Sequence, residues 1–519
     1  MNAWFVAVVS IIFCLVVRAF FNLLSPSRSP PLPPGPPRIP IIGSPAVLFR
    51  PLSELESVLG NLRAKYGPIF TFPFGSRPAI LIADRSLAHQ ALLQNGAVFS
   101  SRPMSLSGAK ITSRNPHNIN TAPYGPTWRV LRRNLTSQVL QPTRIKAFSA
   151  TRKCVLHMLL NALKSDSESS NSIEVIDHFQ HAIFRLLAFM CFGNRLDDKQ
   201  IKDIECVVRR LLLNLNRFAV LNLWPRVTRI LFHKRWEELF QILKARKDVL
   251  IPLVRERKKA KEEKMSQTGE EDNDEGDEVA VSYVGTLLDL QLPEENRKLE
   301  EGELVSLCTE FLNAGTDTTS TALQWIMANL VKHPHIQQRL VEEIRDVVGE
   351  REDKEVKEED LTRLPYLKAV ILEGLRRHPP GHLGLPHAVT EDVALNGYLV
   401  PKNGIVTFMV AEMGWDPKEW ENPMEFKPER FLSSEGDAGE ALFDLTGSKE
   451  IKMMPFGVGR RMCPAYQLSL LHLEYFVANL VWNFEWRKPA NVGDLDMSEK
   501  PEFTTVMKNP LRVHLSSRL

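Results

Sequence analysis

Cys463 lies in the run Phe456-Gly457-Val458-Gly459-Arg460-Arg461-Met462-Cys463-Pro464-Ala465-Tyr466, a glycine-bearing loop just before a strongly apolar helical pattern. A lone cysteine so placed is poor disulfide material and a good metal thiolate. The start of the following helix brings partial positive charge near the sulfur, and Arg460 and Arg461 add whole charges. All three favour thiolate over thiol. Two close glycines let backbone approach a large flat ligand, and backbone N–H groups then reach the sulfur. A single axial thiolate is one of the ways a protein holds haem iron. The competing reading is a surface loop with a structural cysteine.

A second candidate is Ala314-Gly315-Thr316-Asp317-Thr318-Thr319, inside a pattern where Leu304, Leu307, Phe311, Ala314, Thr318 and Trp325 recur at helical steps. Small residues and threonines at mid-helix are unfavourable for propensity and need a reason. Threonine hydroxyls can take up loosened backbone carbonyls, and Gly315 removes a side chain where something bulky must approach. A plain helix–helix crossing is the alternative. Glu373 and Arg376 stand at i,i+3 and share a helix face, a spacing common in surface ion pairs. Pro428-Glu429-Arg430-Phe431 offers a further arginine, whose planar fork suits a carboxylate. Trp128, Arg132 and His387 are donor residues that read equally well as core or loop positions.

The elements that must position these groups are mostly helical. Ile69–Phe74 and Ala79–Ala83 read as short strands around a turn, and a second strand-and-loop region falls near 386–410. Helical patterns dominate the rest from about residue 84, so the expected class is mainly α with small β regions. Residues 270–278 hold seven acids in nine and follow the basic run 255–261; this is a solvated surface connection. It does not divide two catalytic domains, because the candidate motifs lie on both sides.

Composition bounds the function. The chain has 519 residues, is 44% hydrophobic, and carries a net charge of +3. That allows a large core and argues against an extended nucleic-acid surface. Cys14, Cys154, Cys191, Cys206, Cys308 and Cys463 are scattered without zinc spacing, as suits a reducing compartment. No G-x-G-x-x-G appears, so no dinucleotide fold is evident.

Residues 1–25 are membrane-directed. Ala3–Val17 is almost wholly apolar, Arg18 interrupts, and Ala19–Leu24 resumes. With Arg18 snorkelling, the stretch is long enough to span. Arg18, Arg28 and Arg38 all follow the apolar core, which places the bulk of the protein in the cytosol. The absence of a basic n-region favours an uncleaved signal anchor over a cleaved signal peptide. Residues 26–43 form a proline-rich joint, a stiff spacer before a domain spanning 44–519.

Taken in order, these segments resemble the cytochrome P450 family. Phe456, Gly459, Arg461 and Cys463 occupy four of the five fixed positions of its haem signature, with Ala465 where the fifth is glycine. The order of joint, Trp-x-x-x-Arg, Ala-Gly-x-Asp-Thr-Thr, Glu-x-x-Arg, Pro-Glu-Arg-Phe and cysteine loop covers essentially the whole chain. The phrasing is nearest to plant microsomal members of the A-type group, and within them to the eighty-ninth family. The resemblance implies a cytochrome P450 fold behind the anchor and haem b ligated by Cys463. Ala314 and Phe456 would lie against the haem, and Trp128, Arg132, His387 and Arg461 would face its propionates. Asp317 and Thr318 would relay protons, and Glu373, Arg376 and Arg430 would form a buried structural network.

The implied activity is monooxygenation of a lipophilic small molecule with O2. Electrons would come from NADPH through a separate cytochrome P450 reductase, with cytochrome b5 as a further partner, at the endoplasmic reticulum membrane. Arg129, Arg133, Lys452 and Arg460 would supply a basic docking face. By analogy the substrate pocket draws on residues 105–122, 209–222, 314–318, 382–385 and 503–506. Two rivals are a thiolate-haem rearrangement enzyme, which has no need of the Asp317–Thr318 pair, and a membrane-tethered haem carrier.

Overall fold

The structure, a computed structural model, describes residues 30–36, 55–74, 77–103, 117–193, 196–214, 217–218, 220–222, 225–268, 282–349, 351, 355–432, 443–490 and 493–518. The apolar run 1–25, most of the proline-rich joint and the acidic stretch 270–278 lie outside the described residues. Among the described residues no helix is long and apolar enough to cross a membrane.

Helices dominate, in keeping with the periodicity of the sequence. The ones used below are α1 (Leu55–Tyr66), α2 (Pro126–Asn134), α3 (Ser149–Ser169), α4 (Ile176–Phe192), α5 (Asp198–Leu213), α6 (Pro225–Leu231), α7 (His233–Thr268), α8 (Tyr283–Leu287), α9 (Glu301–Lys332), α10 (Pro334–Val348), α11 (Pro365–Arg377) and α12 (Tyr466–Asn483). The central one is α9. It starts at a capping box between Glu300 and Glu303, and most of its side chains are buried on every face. A helix buried all round must run through the core. It packs along α4 and touches α11 and α12, so the largest apolar cluster is built around it.

The β regions are small. In the largest sheet β1 (Ile69–Phe74) and β2 (Arg77–Ile82) form an antiparallel pair, β2 runs parallel to β7 (Ile405–Phe408), and β7 pairs with β4 (His387–Ala388). The last pairing sets His387 opposite Val406 and fixes its place at the sheet edge. Elsewhere β3 (Ile173–Glu174), β8 (Phe484–Arg487) and β11 (Arg512–Ser517) join, β5 (Val393–Leu395) pairs with β6 (Tyr398–Val400), and β9 (Glu499–Pro501) pairs with β10 (Thr505–Met507).

Two expectations change. The described part of the proline-rich joint is docked rather than free. The Thr71 amide and hydroxyl donate to the carbonyls of Pro34 and Pro33, and the Leu399 amide donates to Pro31. Proline has no N–H to offer, but its carbonyls still complete the sheet edge.

Gly315 is small for a different reason from the one the sequence offers. A Cβ there would lie 2.6 Å from Cδ1 of Leu187, so the bulky neighbour is α4 itself. Gly374 plays the same part between α11 and α9, where a Cβ would meet Ile326 at 2.4 Å.

Replacing Gly315 with Ala therefore sets overpacking of ~1–3 kcal/mol against a helix-propensity gain of up to ~1 kcal/mol. The expected outcome is a net loss in chemical denaturation. The loss should shrink in a Leu187→Ala background, and equal costs in both backgrounds would show that the crossing is not tight.

Candidate active site

Cys463 sits between a short 3-10 turn, Gly459–Arg461, and the start of α12. Gly457 and Gly459 have φ of 66° and 74°, the left-handed region that favours glycine. A Cβ on Gly459 would meet the Leu92 carbonyl oxygen at 2.3 Å, so only glycine lets the loop close on that neighbouring turn. The Cys463 amide donates to Phe456 at 2.8 Å, which folds the loop back on itself. The Ala465 amide donates to the sulfur.

The charges are arranged differently from the sequence expectation. Burial pushes the Cys463 thiol up, while the Ala465 amide and Arg132 pull it down. Arg460 is turned away to the Tyr124 hydroxyl at 2.7 Å, and Arg461 to backbone carbonyls. Burial therefore opposes the thiolate, and the Ala465 amide and Arg132 favour it. A metal ion's own charge is what deprotonates a coordinating thiol outright.

Around this loop the structure gathers arginines. Arg132, on α2, donates to the Met462 carbonyl at 2.6 Å. Arg461 donates to the carbonyls of Ser100, Ile119 and Ala122, and its guanidinium lies 4.3 Å from the Trp128 ring centroid. Arg102, which sequence reasoning missed, donates to the carbonyls of Asn120, Leu385 and Pro386. Among the described residues none of the three is paired with a carboxylate. Burial lowers Arg102 to about 10, lowers Arg132, and lowers Arg461 to about 9, with neighbouring arginines adding to the last. The only textual signal for Arg102 is Phe99-Ser100-Ser101-Arg102-Pro103, whose partners lie far along the chain.

The Trp128 indole N–H is already committed to the Ile119 carbonyl at 3.0 Å. His387 bonds the Phe99 carbonyl through Nδ1 at 2.6 Å, which makes Nδ1 the donor and leaves Nε2 an acceptor. Burial, then Arg102, lowers this imidazole to about 3, so it is neutral at physiological pH. Donation to an anion would require a proton that only an arriving anion makes favourable.

On α9 the hydroxyls of Thr309, Thr316, Thr318 and Ser320 donate to carbonyls four residues back. Ala314 is exposed and Thr318 half-buried, although most of the surrounding helix is buried, so this stretch borders an open space. Asp317 faces elsewhere. Its Oδ1 accepts from Arg209 of α5 at 3.2 Å, with Glu205 on the far side of that arginine. Burial raises its carboxyl and Arg209 opposes the rise. No direct hydrogen bond among the described residues joins Asp317 to Thr318. Arg209 was legible only as a member of a pocket stretch.

Glu373, Arg376 and Arg430 come together in the interior. Glu373 accepts from Arg376 at 2.7 and 2.8 Å, from Arg430 at 3.1 Å and from the Lys427 amide at 2.8 Å. Glu373 is 0% and Arg376 1% exposed. Arg376 also donates to Gly414 and lies over Trp420, whose apolar cluster is packed by Phe456 of the cysteine loop. The pairing thus braces the loop from behind. Lys452 pairs with Glu419 and Glu450, which removes it from the proposed basic face. The five described cysteines are free.

The cytochrome P450 family profile matches residues 33–515. Cytochrome P450 89A9 of Arabidopsis thaliana is 48% identical over 98% of both chains. Isoflavone 3'-hydroxylase of Medicago truncatula is 31% identical over 98% of this chain and 97% of its own. A zebra fish cytochrome P450 structure with progesterone superposes with a TM-score of 0.71 at 22% identity, covering 89% of this chain and 99% of that one. The chain belongs to the cytochrome P450 family, and with it to the haem monooxygenases. The family implies a haem held by a cysteine thiolate. The residues present fit that group: the partly buried Cys463 thiol has Arg132 near it, and Arg102 and Arg461 cluster nearby without carboxylate partners among the described residues, where haem would bring two carboxylates.

Glu373→Gln leaves Arg376 without its counter-charge in the interior, at a cost of about 3–5 kcal/mol. Denaturant titration should show this loss together with low haem occupancy, whereas wild-type stability would mean that the network is dispensable.

Proposed function

We propose that this protein inserts one oxygen atom from O2 into a lipophilic small molecule at a haem ligated by Cys463. The observation that carries the reading is the cluster of buried Arg102 with half-buried Arg132 and Arg461 around the cysteine loop, none of them paired with a carboxylate among the described residues. Their remaining N–H groups would hold the two propionates, with Trp128 and Arg461 stacked as one unit and His387 joining once protonated. Ala314 would leave room for the haem face, and Phe456 would pack near it.

When bound, the haem supplies dioxygen activation, tuned by the thiolate. The chain's task is to bind substrate and manage protons. Thr318 keeps its proton on the Ala314 carbonyl and has lone pairs free to accept another. Asp317 has a carboxyl raised by burial, so it can hold a proton inside the protein, while Arg209 limits how readily it does. Residues 209–222, 314–318, 382–385 and 503–506 would line the substrate space. Thr504 is tied to Thr321 of α9, and Leu385 and Phe503 are exposed apolar groups.

Electrons would arrive from NADPH through cytochrome P450 reductase, with cytochrome b5 as a second donor. Arg129 and Arg133 are exposed on α2, and Arg129 and Arg460 flank the Tyr124 ring, which supports a basic docking face without Lys452. We assign residues 1–25 to an endoplasmic reticulum anchor, 26–43 to the joint and 44–519 to the cytosolic enzyme. Exposed Val227, Ile230 and Leu231 of α6, with Arg226 and Arg229 among them, support contact with a membrane surface.

Thr318→Ala tests the reading in microsomes that also contain a reductase. Haem spectrum and substrate affinity should stay near wild type. Product per NADPH should fall, with peroxide release rising; acid–base contributions of ~10²–10⁴-fold set the upper scale. Unchanged coupling, or turnover without NADPH and O2, would contradict it.

A further inference from the structure

The segment 117–122 is held from both sides by opposite charge. On one side Glu310 of α9 accepts the Asn120 amide on Oε1 at 2.7 Å and the Ile119 amide on Oε2 at 2.9 Å. Two turns earlier, Glu303 accepts the His117 ring at 2.7 Å, and Glu295 reaches its other nitrogen at 2.9 Å. On the other side, the carbonyl of Ile119 receives Trp128 and Arg461, that of Asn120 receives Arg102, and that of Ala122 receives Arg461. The peptide groups of this turn are therefore aligned, with N–H groups toward α9 and carbonyls toward the arginines. A carboxylate holding two amides polarises the carbonyls beyond them, and each bond strengthens the next.

We propose that Glu310 is a positioning residue, which fixes the 117–122 backbone so that its carbonyls hold Arg102, Arg461 and Trp128 in place to receive the haem carboxylates. Glu310 touches none of those side chains directly; it acts through the backbone. It also lies one helical turn before Ala314, so it ties the oxygen-side helix to the propionate-side donors. This rests on the haem assignment above.

Two properties mark the role. Gln at this position has one oxygen, so it can satisfy one amide and must point an N–H at the other. Protonation does something similar, and burial raises the Glu310 carboxyl to about 7, against the pull of the two amides and Arg461. The groups facing it are Arg461 from the cysteine loop and the Tyr283 phenol of α8, itself pushed up by burial and by Glu310. His117, Glu303 and Glu295 flank the same segment. Because the folded-state carboxyl is raised, its contribution to stability is present in acid and is lost as pH rises through about 7. Its grip on the amides runs the opposite way and is complete only above about 7.

The test uses the full-length holoenzyme in detergent and follows haem transfer to excess apomyoglobin, beside amide hydrogen exchange of peptides covering 117–122. Wild type should release haem faster, and lose protection at 117–122 beyond the intrinsic pH effect, as pH falls through about 7. Glu310→Gln should release haem roughly ten-fold faster at pH 8, as loss of a bond to a charged acceptor implies, with no inflection near 7. Glu310→Asp should lie between. Haem release and exchange in Glu310→Gln matching wild type would overturn the proposal. So would an inflection that persists in the variant, since Glu310 could not then be its source. If the variant does not accumulate, wild type decides alone: protection at 117–122 that does not change across pH 6–8 would overturn it. If wild-type haem bound without Cys463 ligation, the haem assignment would fail, while the exchange result would still report on the Glu310 grip.

Discussion

Three clustered guanidiniums, largely withdrawn from water and without carboxylate partners among the described residues, are the constraint on which the rest of this structure depends. Desolvating a cation costs several kcal/mol unless something compensates. Here much of the compensation inside the chain comes from backbone carbonyls, with the Trp128 ring against Arg461, and these carbonyls must be brought from 100, 119, 120, 122, 385, 386 and 462 to one place. That demand explains why the cysteine loop, the start of α2, the edge of the sheet and the 117–122 turn all converge. Negative charge brought to this region would be stabilised by these guanidiniums.

The frame that holds this converging set is α9. Its glycine closes on α4 and its midpoint opens at Ala314 and Thr318. Glu373, Arg376 and Arg430 form the counterpart: two guanidiniums share one buried carboxylate, with backbone carbonyls taking further N–H groups. Such pairing adds little net stability relative to apolar packing, but it is intolerant of the loss of one member. It therefore specifies where α11, the 425–430 turn and Trp420 must sit, and through Phe456 it sets the back of the loop.

Much of this was legible in the sequence because the informative residues are local motifs. The Phe-x-x-Gly-x-Arg-x-Cys spacing, the mid-helix Ala-Gly-x-Asp-Thr and the helical predominance needed no tertiary knowledge. What was not legible is pairwise and long-range. Arg102 and Arg209 matter because of partners such as Leu385 and Asp317, far away in the chain. Gly315 reads as room for a ligand until Leu187 is seen beside it. Lys452 reads as free charge until Glu419 and Glu450 neutralise it. Counting neighbouring arginines predicted an easy thiolate. Orientation and burial oppose this, because of the arginines only Arg132 acts on the sulfur, and desolvation outweighs both it and the Ala465 amide.

If the reading of the cysteine loop is right, the Cys463 sulfur is the thiolate that ligates the haem iron. The direct measurement is the spectrum of the reduced carbon monoxide complex for wild type and Cys463→Ser, each normalised to bound haem. The thiolate band, from which the family takes its name, is expected in wild type. Loss of that band is expected in the variant, with some haem still retained by the arginines. A variant that keeps the band, or a wild type that binds haem without it, would contradict the account.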